Sequence, residues 1–365
     1  MPKFVGQYIA YGMGRGGAVD NNRRALDRIK LSPRYNIERF TVDTTCTFLG
    51  QSYSAPFGIA PVGLGGLAWP GAPELLADSA KRASIPFTTA TFSLCSLEKL
   101  KAHAAEMGWF QLYLPNQPET AEDLLSRAEN AGYQNLVITV DIPSAMRRDH
   151  DIRNGFSLPL RFSANTLRDL ALSPAWSIAM ARHSLKYGFP EFETLMPYVP
   201  KGMNSNQALN YMGSLTAGNI GRAEMKSLRQ RWHGNLIVKG VLDPLDAVAY
   251  RDQGADALIV SNHGGRQLEA APSPIEVLPA IRKAVGPDFP LIGDSGIRTG
   301  LDICRMLATG ADFVMAGRPF YYSVATMGAA GADHVVQLLH EELKCQMGQL
   351  GCARVADIRD RLWAR

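Results

Sequence analysis

The stretch NLIVKGVLDPLDAVAYRDQGADALIVS, residues 235–261, decides the fold. It opens on a short apolar run, Asn235–Gly240, and closes on another, Ala257–Ser261. Between them Pro244–Gln253 reads as a helix, with its proline in the first turn, where no amide donor is needed. Runs this short and this continuously apolar suit parallel strands covered on both faces, and two of them joined through a helix make one βαβ unit. The same alternation extends outward. Upstream, apolar runs lie at Phe57–Pro61, Pro86–Ala90, Trp109–Leu114 and Leu136–Asp141; downstream they lie at Pro290–Asp294 and Phe313–Gly317. Helical stretches Pro73–Ser84, Ser96–Glu106, Glu119–Ala131, Pro274–Val285 and Gly300–Ala308 separate them, and Ser96 is a plain N-cap. Eight strand runs alternating with helices predict an α/β chain folded as a (β/α)8 TIM barrel. A doubly wound open sheet is the alternative, since periodicity does not show closure.

One interval breaks the rhythm. From Asp141 to Asn235 the chain runs far beyond the roughly 30 residues of an ordinary βα unit, so a single domain over 1–365 with an insertion at 154–221 is expected. Ser173-Pro174 opens a helix there with Trp176, Met180 and Tyr187 near one face and Arg182, His183 and Lys186 beside them; a Gly/Asn-rich stretch, Lys201–Gly221, follows. The insertion leaves the C-terminal end of the fourth strand, the end at which barrels of this kind carry their active sites. A lid, a subunit contact and an interfacial membrane segment are the three readings.

Composition removes several classes of function. The chain has 365 residues, 46% of them hydrophobic and 20% charged, enough for a large core and unlike a disordered or disulfide-stapled chain. With 38 Lys+Arg against 34 Asp+Glu, the charge is too small and too interspersed for a nucleic-acid binder. Cys46, Cys95, Cys304, Cys345 and Cys352 are odd in number and form no C-x-x-C pair, which indicates no disulfide framework and no metal site. Met1–Tyr8 has no secretory apolar run, and the uncharged Gln51–Pro73 is too rich in proline and glycine to span a bilayer. A reducing, cytoplasmic location is therefore expected, with peripheral contact at the inner face of the membrane if the insertion is interfacial.

Polar and ionisable side chains gather at the C-terminal ends of the runs: Gln111 and Tyr113, Thr139 and Asp141, Lys239, Ser261 and His263, Asp294, Arg318. In a closed barrel these ends converge on one mouth. The richest stretch is Ser261-Asn262-His263-Gly264-Gly265-Arg266-Gln267. Its histidine can take a proton near neutral pH, its glycines let backbone approach a ligand, and Arg266 offers a fork that matches a carboxylate. A capping histidine and a solvated arginine in a glycine-rich turn would be the plain alternative.

That heptapeptide resembles the active-site signature of the FMN-dependent 2-hydroxy acid oxidising family, which includes glycolate oxidase, L-lactate dehydrogenase and mandelate dehydrogenase. The resemblance runs from Tyr8 to about Cys352. It also rests on Ala60-Pro61-Val62-Gly63, Phe110-Gln111-Leu112-Tyr113, Thr139-Val140-Asp141, Val238-Lys239-Gly240, Asp294-Ser295-Gly296-Ile297-Arg298 and Gly317-Arg318. It implies that His263 is the proton acceptor, paired with Asp141, and that Arg148 and Arg266 hold the substrate carboxylate beside Tyr113 and Tyr8. For FMN it implies that Lys239 meets the charge of the reduced ring, and that Gln111, Thr139 and Ser261 bond the ring or ribityl chain. Pro61, Val62 and Gly63 would lie against the ring, Asp294 would hold ribityl hydroxyls, and Gly296, Arg298, Gly317 and Arg318 would bind the phosphate. Phe92, at a position that lines the pocket in relatives, and Met146, in the loop after the fourth strand, suggest an apolar side-chain pocket for an aromatic or branched group.

Two positions depart from the pattern. Ala90 replaces a serine that touches the flavin in many members, a contact that is either lost or supplied by neighbouring Thr91. Gly63 stands where oxidases usually carry alanine, which tilts the reading toward a dehydrogenase passing electrons to a quinone or other carrier. An oxidase producing hydrogen peroxide is the alternative; another FMN barrel such as an isomerase, or a silent flavin-binding protein, stands behind it. A homo-oligomer, a tetramer, is implied by the same resemblance.

Overall fold

The computed structural model describes all residues except 145–148, 157–162, 217 and 364–365. Its core is a closed eight-stranded parallel barrel preceded by an antiparallel hairpin of β1 (Cys46–Phe48) and β2 (Gln51–Tyr53). The barrel strands are β3 (Phe57–Ile59), β4 (Phe87–Ala90), β5 (Gly108–Leu112), β6 (Asn135–Thr139), β7 (Asn235–Val241), β8 (Ala257–Val260), β9 (Leu291–Gly293) and β10 (Phe313–Ala316). They match the runs read from the sequence, each end to within two residues. Pairing of β10 with both β3 and β9 closes the ring and excludes the open sheet.

Burial explains why these runs lack the alternation of a half-exposed strand: every residue of β3–β6 and β8–β10 is buried. Trp109, Val137, Ile237, Ile259, Ile292, Phe313 and Met315 fill the inside of the barrel. The hairpin seals its N-terminal end. Phe48 stacks on Phe313 at 5.0 Å, Tyr53 meets the same ring edge-on at 5.4 Å, and Trp109 Nε1 donates to the Tyr53 hydroxyl at 3.3 Å. Function is thereby left to the opposite end.

The outer helices, with short additions, complete the units. Helices α1 (Lys3–Ala10) and α2 (Gly17–Arg28) precede the barrel; α3 (Ala72–Ala83), α4 (Leu97–Ala104) and α5 (Pro118–Asn130) follow its first three strands. Between β6 and β7 lie α6 (Asp149–Arg153), α7 (Ala164–Ala171), α8 (Pro174–Tyr187), α9 (Ser205–Leu215) and α10 (Arg222–Arg231). Then come α11 (Pro244–Asp252), α12 (Pro274–Val285), α13 (Gly300–Thr309), α14 (Arg318–Met327) and α15 (Ala329–Leu350). Within the β6–β7 segment, Trp176 of α8 is buried and donates to the Leu67 carbonyl at 2.9 Å, and Met180 packs on the core. Tyr187 does not share that face; it is exposed. The Gly/Asn-rich stretch holds a genuine helix, α9, started by a reciprocal cap between Asn204 and Gln207. Among the described residues no helix is long and apolar enough to cross a membrane.

Candidate active site

The C-terminal mouth of the barrel opens into a cavity of about 470 Å³. Among the residues predicted to form the site, Tyr8, Pro61, Val62, Gly63, Phe92, Gln111, Tyr113, Lys239, His263, Arg266, Asp294, Gly296, Arg298, Gly317 and Arg318 line it. Asp141, Thr139 and Ser261 are not on the wall but bond to side chains that are. Arg148 and Met146 lie outside the described residues.

His263 follows β8 in a run of left-handed backbone, with φ of 58° at His263, 66° at Gly264 and 78° at Gly265. Glycine accepts this conformation freely; histidine does not, so its surroundings must hold it there. The His263 amide donates to Ser261 Oγ at 3.0 Å and the Gly264 amide to Ser295 Oγ at 3.0 Å. Arg318 Nη1 donates to the Gly264 carbonyl at 2.9 Å, and the Met13 amide to that of Gly265 at 2.9 Å. Asn22 on α2 and Asn262 exchange amide bonds, at 2.9 and 2.7 Å, and both side chains are buried. The N-terminal helices thus clamp the loop that carries the imidazole.

Asp141, just beyond β6, faces His263 Nδ1 with its two oxygens at 2.9 and 3.1 Å. Such an approach depends on Gly240, whose φ is 107° at the irregularity between β7 and β8; a Cβ there would meet Asp141 Cβ at 2.7 Å. Burial alone would raise the carboxyl, but His263 and then Lys239 outweigh it and keep Asp141 below the usual carboxylate range. Burial pushes the His263 imidazole below its ordinary value; Asp141 pulls it up, while Lys239 and Arg266 push it further down. The pair therefore rests as carboxylate and neutral imidazole. A carboxylate only accepts, so Nδ1 carries the hydrogen and Nε2 keeps its lone pair, 3.5 Å from the Tyr113 hydroxyl.

Lys239 at the end of β7 is buried, donates to Ser261 Oγ at 3.0 Å and lies 3.5 Å from Asp294 Oδ2. Ser295 Oγ donates to the other Asp294 oxygen at 2.7 Å. Gln111 Nε2 donates to Thr139 Oγ1 at 3.0 Å. Thr91 does not replace the missing serine. Its hydroxyl donates to the Gln111 carbonyl at 2.7 Å and accepts from the Tyr113 amide at 3.0 Å, so it holds two strands together and is off the wall.

Arg266 bonds the carbonyls of Tyr8 at 2.6 Å and Tyr11 at 3.0 Å, with its guanidinium 4.6 Å over the Tyr8 ring. Arg318 donates to the Ile9 carbonyl at 2.8 Å, and Arg298 to that of Ile297 at 2.7 Å. Among the described residues neither Arg298 nor Arg318 makes an ion pair with a carboxylate. Burial lowers both, and Arg266 and Arg298 help pull Arg318 down to about 10. Two desolvated guanidiniums beside Gly296 and Gly317, whose hydrogen bonds among the described residues go to carbonyls, fit a phosphate; buried Lys239 fits the electron-rich edge of a ring.

The sequence reading did not single out Ser295 or the wall residues Ile142, Phe192, Leu209, Gly213 and Thr216. The signal for the last three was present: 209, 213 and 216 are spaced as one helical face.

A family model described as FMN-dependent dehydrogenase matches residues 1–365. The chain is 35% identical to an L-lactate dehydrogenase of Caulobacter vibrioides, covering 100% of this chain and 94% of that one. It is 34% identical to an L-lactate dehydrogenase of Xanthobacter autotrophicus, covering 99% and 92%. Among solved structures, the monotopic membrane protein (S)-mandelate dehydrogenase superposes with a TM-score of 0.92 at 33% identity, covering 100% of this chain and 96% of that one. A mandelate oxidase with (S)-2-phenylpropionate superposes with a TM-score of 0.81 at 30% identity, covering 99% and 93%.

Proposed function

The chain belongs to the FMN-dependent dehydrogenase family, and on that premise we propose that it oxidises an (S)-2-hydroxy acid to the 2-oxo acid and passes the electrons to a quinone or other carrier. It is an FMN-dependent oxidoreductase acting on 2-hydroxy acids; the stereochemistry, the acceptor and the residue roles are the proposal. FMN supplies the two-electron chemistry that no side chain here can supply. Arg298, Arg318 and the backbone at Gly296 and Gly317 would hold its phosphate, Asp294 the ribityl hydroxyls, and Gln111 and Lys239 the ring. Thr139 and Ser261 act one bond further back, orienting Gln111 and Lys239.

The observation that carries this reading is the Asp141–His263 pair, at 2.9 Å, beside the Tyr113 hydroxyl in the cavity. His263 Nε2 takes the substrate proton. Asp141 stabilises the imidazolium that results and fixes the ring's tautomer. Arg266, already stacked on Tyr8, receives the carboxylate, with Arg148 as its partner in the proposal; Tyr113 and Tyr8 orient the hydroxyl and carboxylate oxygens.

Gly63 bears on the acceptor. A Cβ at that position would come no closer than 3.4 Å, to Phe92 Cβ, so packing does not demand glycine, and the missing methyl enlarges the cavity. The α7–α8 surface bears on location. Leu172, Leu185, Tyr187 and Phe189 are 75%, 88%, 66% and 84% exposed, with Arg182 and Lys186 among them. Apolar side chains fringed by cations suit the interface of an anionic membrane, where a lipid-soluble acceptor resides.

The test is an anaerobic spectrum of the FMN-loaded enzyme titrated with a panel of (S)-2-hydroxy acids, followed by air or a quinone analogue. Bleaching by an acid and faster recolouring with the quinone are expected. An unbleached flavin would end the proposal, and faster recolouring in air would convert it to an oxidase.

A further inference from the structure

We infer that α9 is the wall against which the acid's side chain packs, and that Gly213 in its last turn holds that wall open for a bulky apolar group, an aryl or branched chain, in preference to a methyl. The inference rests on the reading that this cavity binds a 2-hydroxy acid and names the class of acid.

Leu209, Gly213 and Thr216 stand at i, i+4 and i+7 and all line the cavity. Phe92, Phe192 and Ile142 line the same cavity. Phe92 meets the Tyr113 ring at 5.7 Å and the Phe192 ring edge-on at 5.5 Å, so the aromatic side of the pocket is contiguous with the residues around His263. Charged groups are absent from these six positions. A small substrate would leave this surface facing water.

Gly213 has no local reason to be glycine. Its backbone is helical rather than left-handed, and a Cβ built there meets nothing within 4 Å. Gly213 keeps helical backbone in the last turn of α9, where glycine is still a poorer helix former than alanine, so the position forgoes some helix stability without gaining a left-handed turn or a close packing contact. What it leaves is room in the cavity mouth, midway between Leu209 and Thr216.

The wall is also fixed relative to the acid–base pair. The adjoining face of α9, Ala208, Met212 and Leu215, is buried. The Asn116 amide donates to the Leu215 carbonyl at 2.8 Å, Asn116 Nδ2 to the Ser214 carbonyl at 2.9 Å, and Gln117 Nε2 to the Tyr211 hydroxyl at 3.2 Å. Both anchors belong to the loop that begins at Tyr113, so a side chain added at position 213 projects from a surface held in register with the site.

The experiment uses the FMN-loaded enzyme and its Gly213→Leu and Gly213→Ala variants, which favour helix and so fold at least as readily. Anaerobic kcat/KM for flavin reduction is measured with (S)-mandelate and (S)-lactate. In parallel, the oxidised enzyme is titrated with phenylacetate and propionate, which lack the hydroxyl and report binding through the flavin spectrum. The wild type should favour mandelate, and Gly213→Leu should cut the mandelate-to-lactate ratio at least tenfold, with Gly213→Ala between. The phenylacetate-to-propionate affinity ratio should fall in the same order. A wild type that favours lactate, or ratios that stay within twofold in the variants, would overturn the inference. If neither acid bleaches the wild type, the proposed function fails while the two unreactive acids still decide the role of the wall.

Discussion

Replacing Asp141 by Asn keeps the shape of the pair and removes its charge. The amide oxygen can still accept from His263 Nδ1, now at 2.9 Å from a carboxylate oxygen, so the imidazole should stay in place. What disappears is the attraction that builds up as Nε2 takes a proton. With charge centres about 4 Å apart and an effective dielectric near 20, that attraction is about 4 kcal/mol. A transition state with the proton half transferred forfeits about 2 kcal/mol and a fully transferred one about 4, so flavin reduction should slow roughly 30- to 1,000-fold. The pH dependence gives the sign independently. The base must be neutral, so reduction rises with pH through the His263 pKa, which burial holds below its ordinary range while Asp141 pulls upward. Without that carboxylate the acid limb should move to lower pH. Anaerobic stopped-flow reduction of Asp141→Asn between pH 5 and 9, with FMN occupancy checked by absorbance, reads both quantities. A rate within threefold of wild type, or a limb displaced to higher pH, would refute the assignment of Asp141 as the partner that stabilises the imidazolium.

Asn22→Ala leaves the buried Asn262 amide short of two bonds, at a cost of about 1–3 kcal/mol, and should lower Tm by several degrees while slowing flavin reduction in the folded enzyme; calorimetry and stopped-flow together check it, and an unchanged reduction rate would show that the clamp does not position the loop. Gly63→Ala should fold normally, since its Cβ meets Phe92 at 3.4 Å, and should raise the rate of re-oxidation by oxygen relative to a quinone analogue; a ratio within twofold of wild type would remove Gly63 from the choice of acceptor. Leu185→Glu combined with Phe189→Glu should weaken sedimentation with phosphatidylglycerol-containing vesicles by about tenfold or more without altering reduction by the acid. Equal sedimentation of the two proteins would free this surface from the membrane reading.

The barrel was legible because its strands are buried on both faces: a run such as Leu258-Ile259-Val260 has no polar position to confuse with a helix or an amphipathic strand. The site was legible where chemistry forces unusual residue types into such runs, as with Lys239 in β7. Three kinds of element were less visible. The hairpin that plugs the barrel has strands of only three residues, too short for any period, and it packs on Phe313 far along the chain. Helix α9 mixes good helix formers with Ser, Asn, Tyr and Gly and owes its place to a reciprocal cap and to Asn116, neither of which composition reveals. Thr91 stands next to the position where a flavin contact was sought, yet strand alternation sends its hydroxyl toward β5, and adjacency in sequence misled. The difference between wall residues and the residues behind them, Gln111 against Thr139 or Lys239 against Ser261, exists only once the strands are laid side by side.

The aromatic floor made by Phe48, Tyr53, Trp109 and Phe313 has a kinetic corollary. Traffic through the barrel axis is stopped, so reductant and oxidant must use the same doorway at the rim, and a spent oxo acid lingering there would obstruct whichever carrier comes to collect the electrons. Turnover would then proceed by alternating visits, with product inhibition that competes against the acceptor rather than against the acid's first encounter.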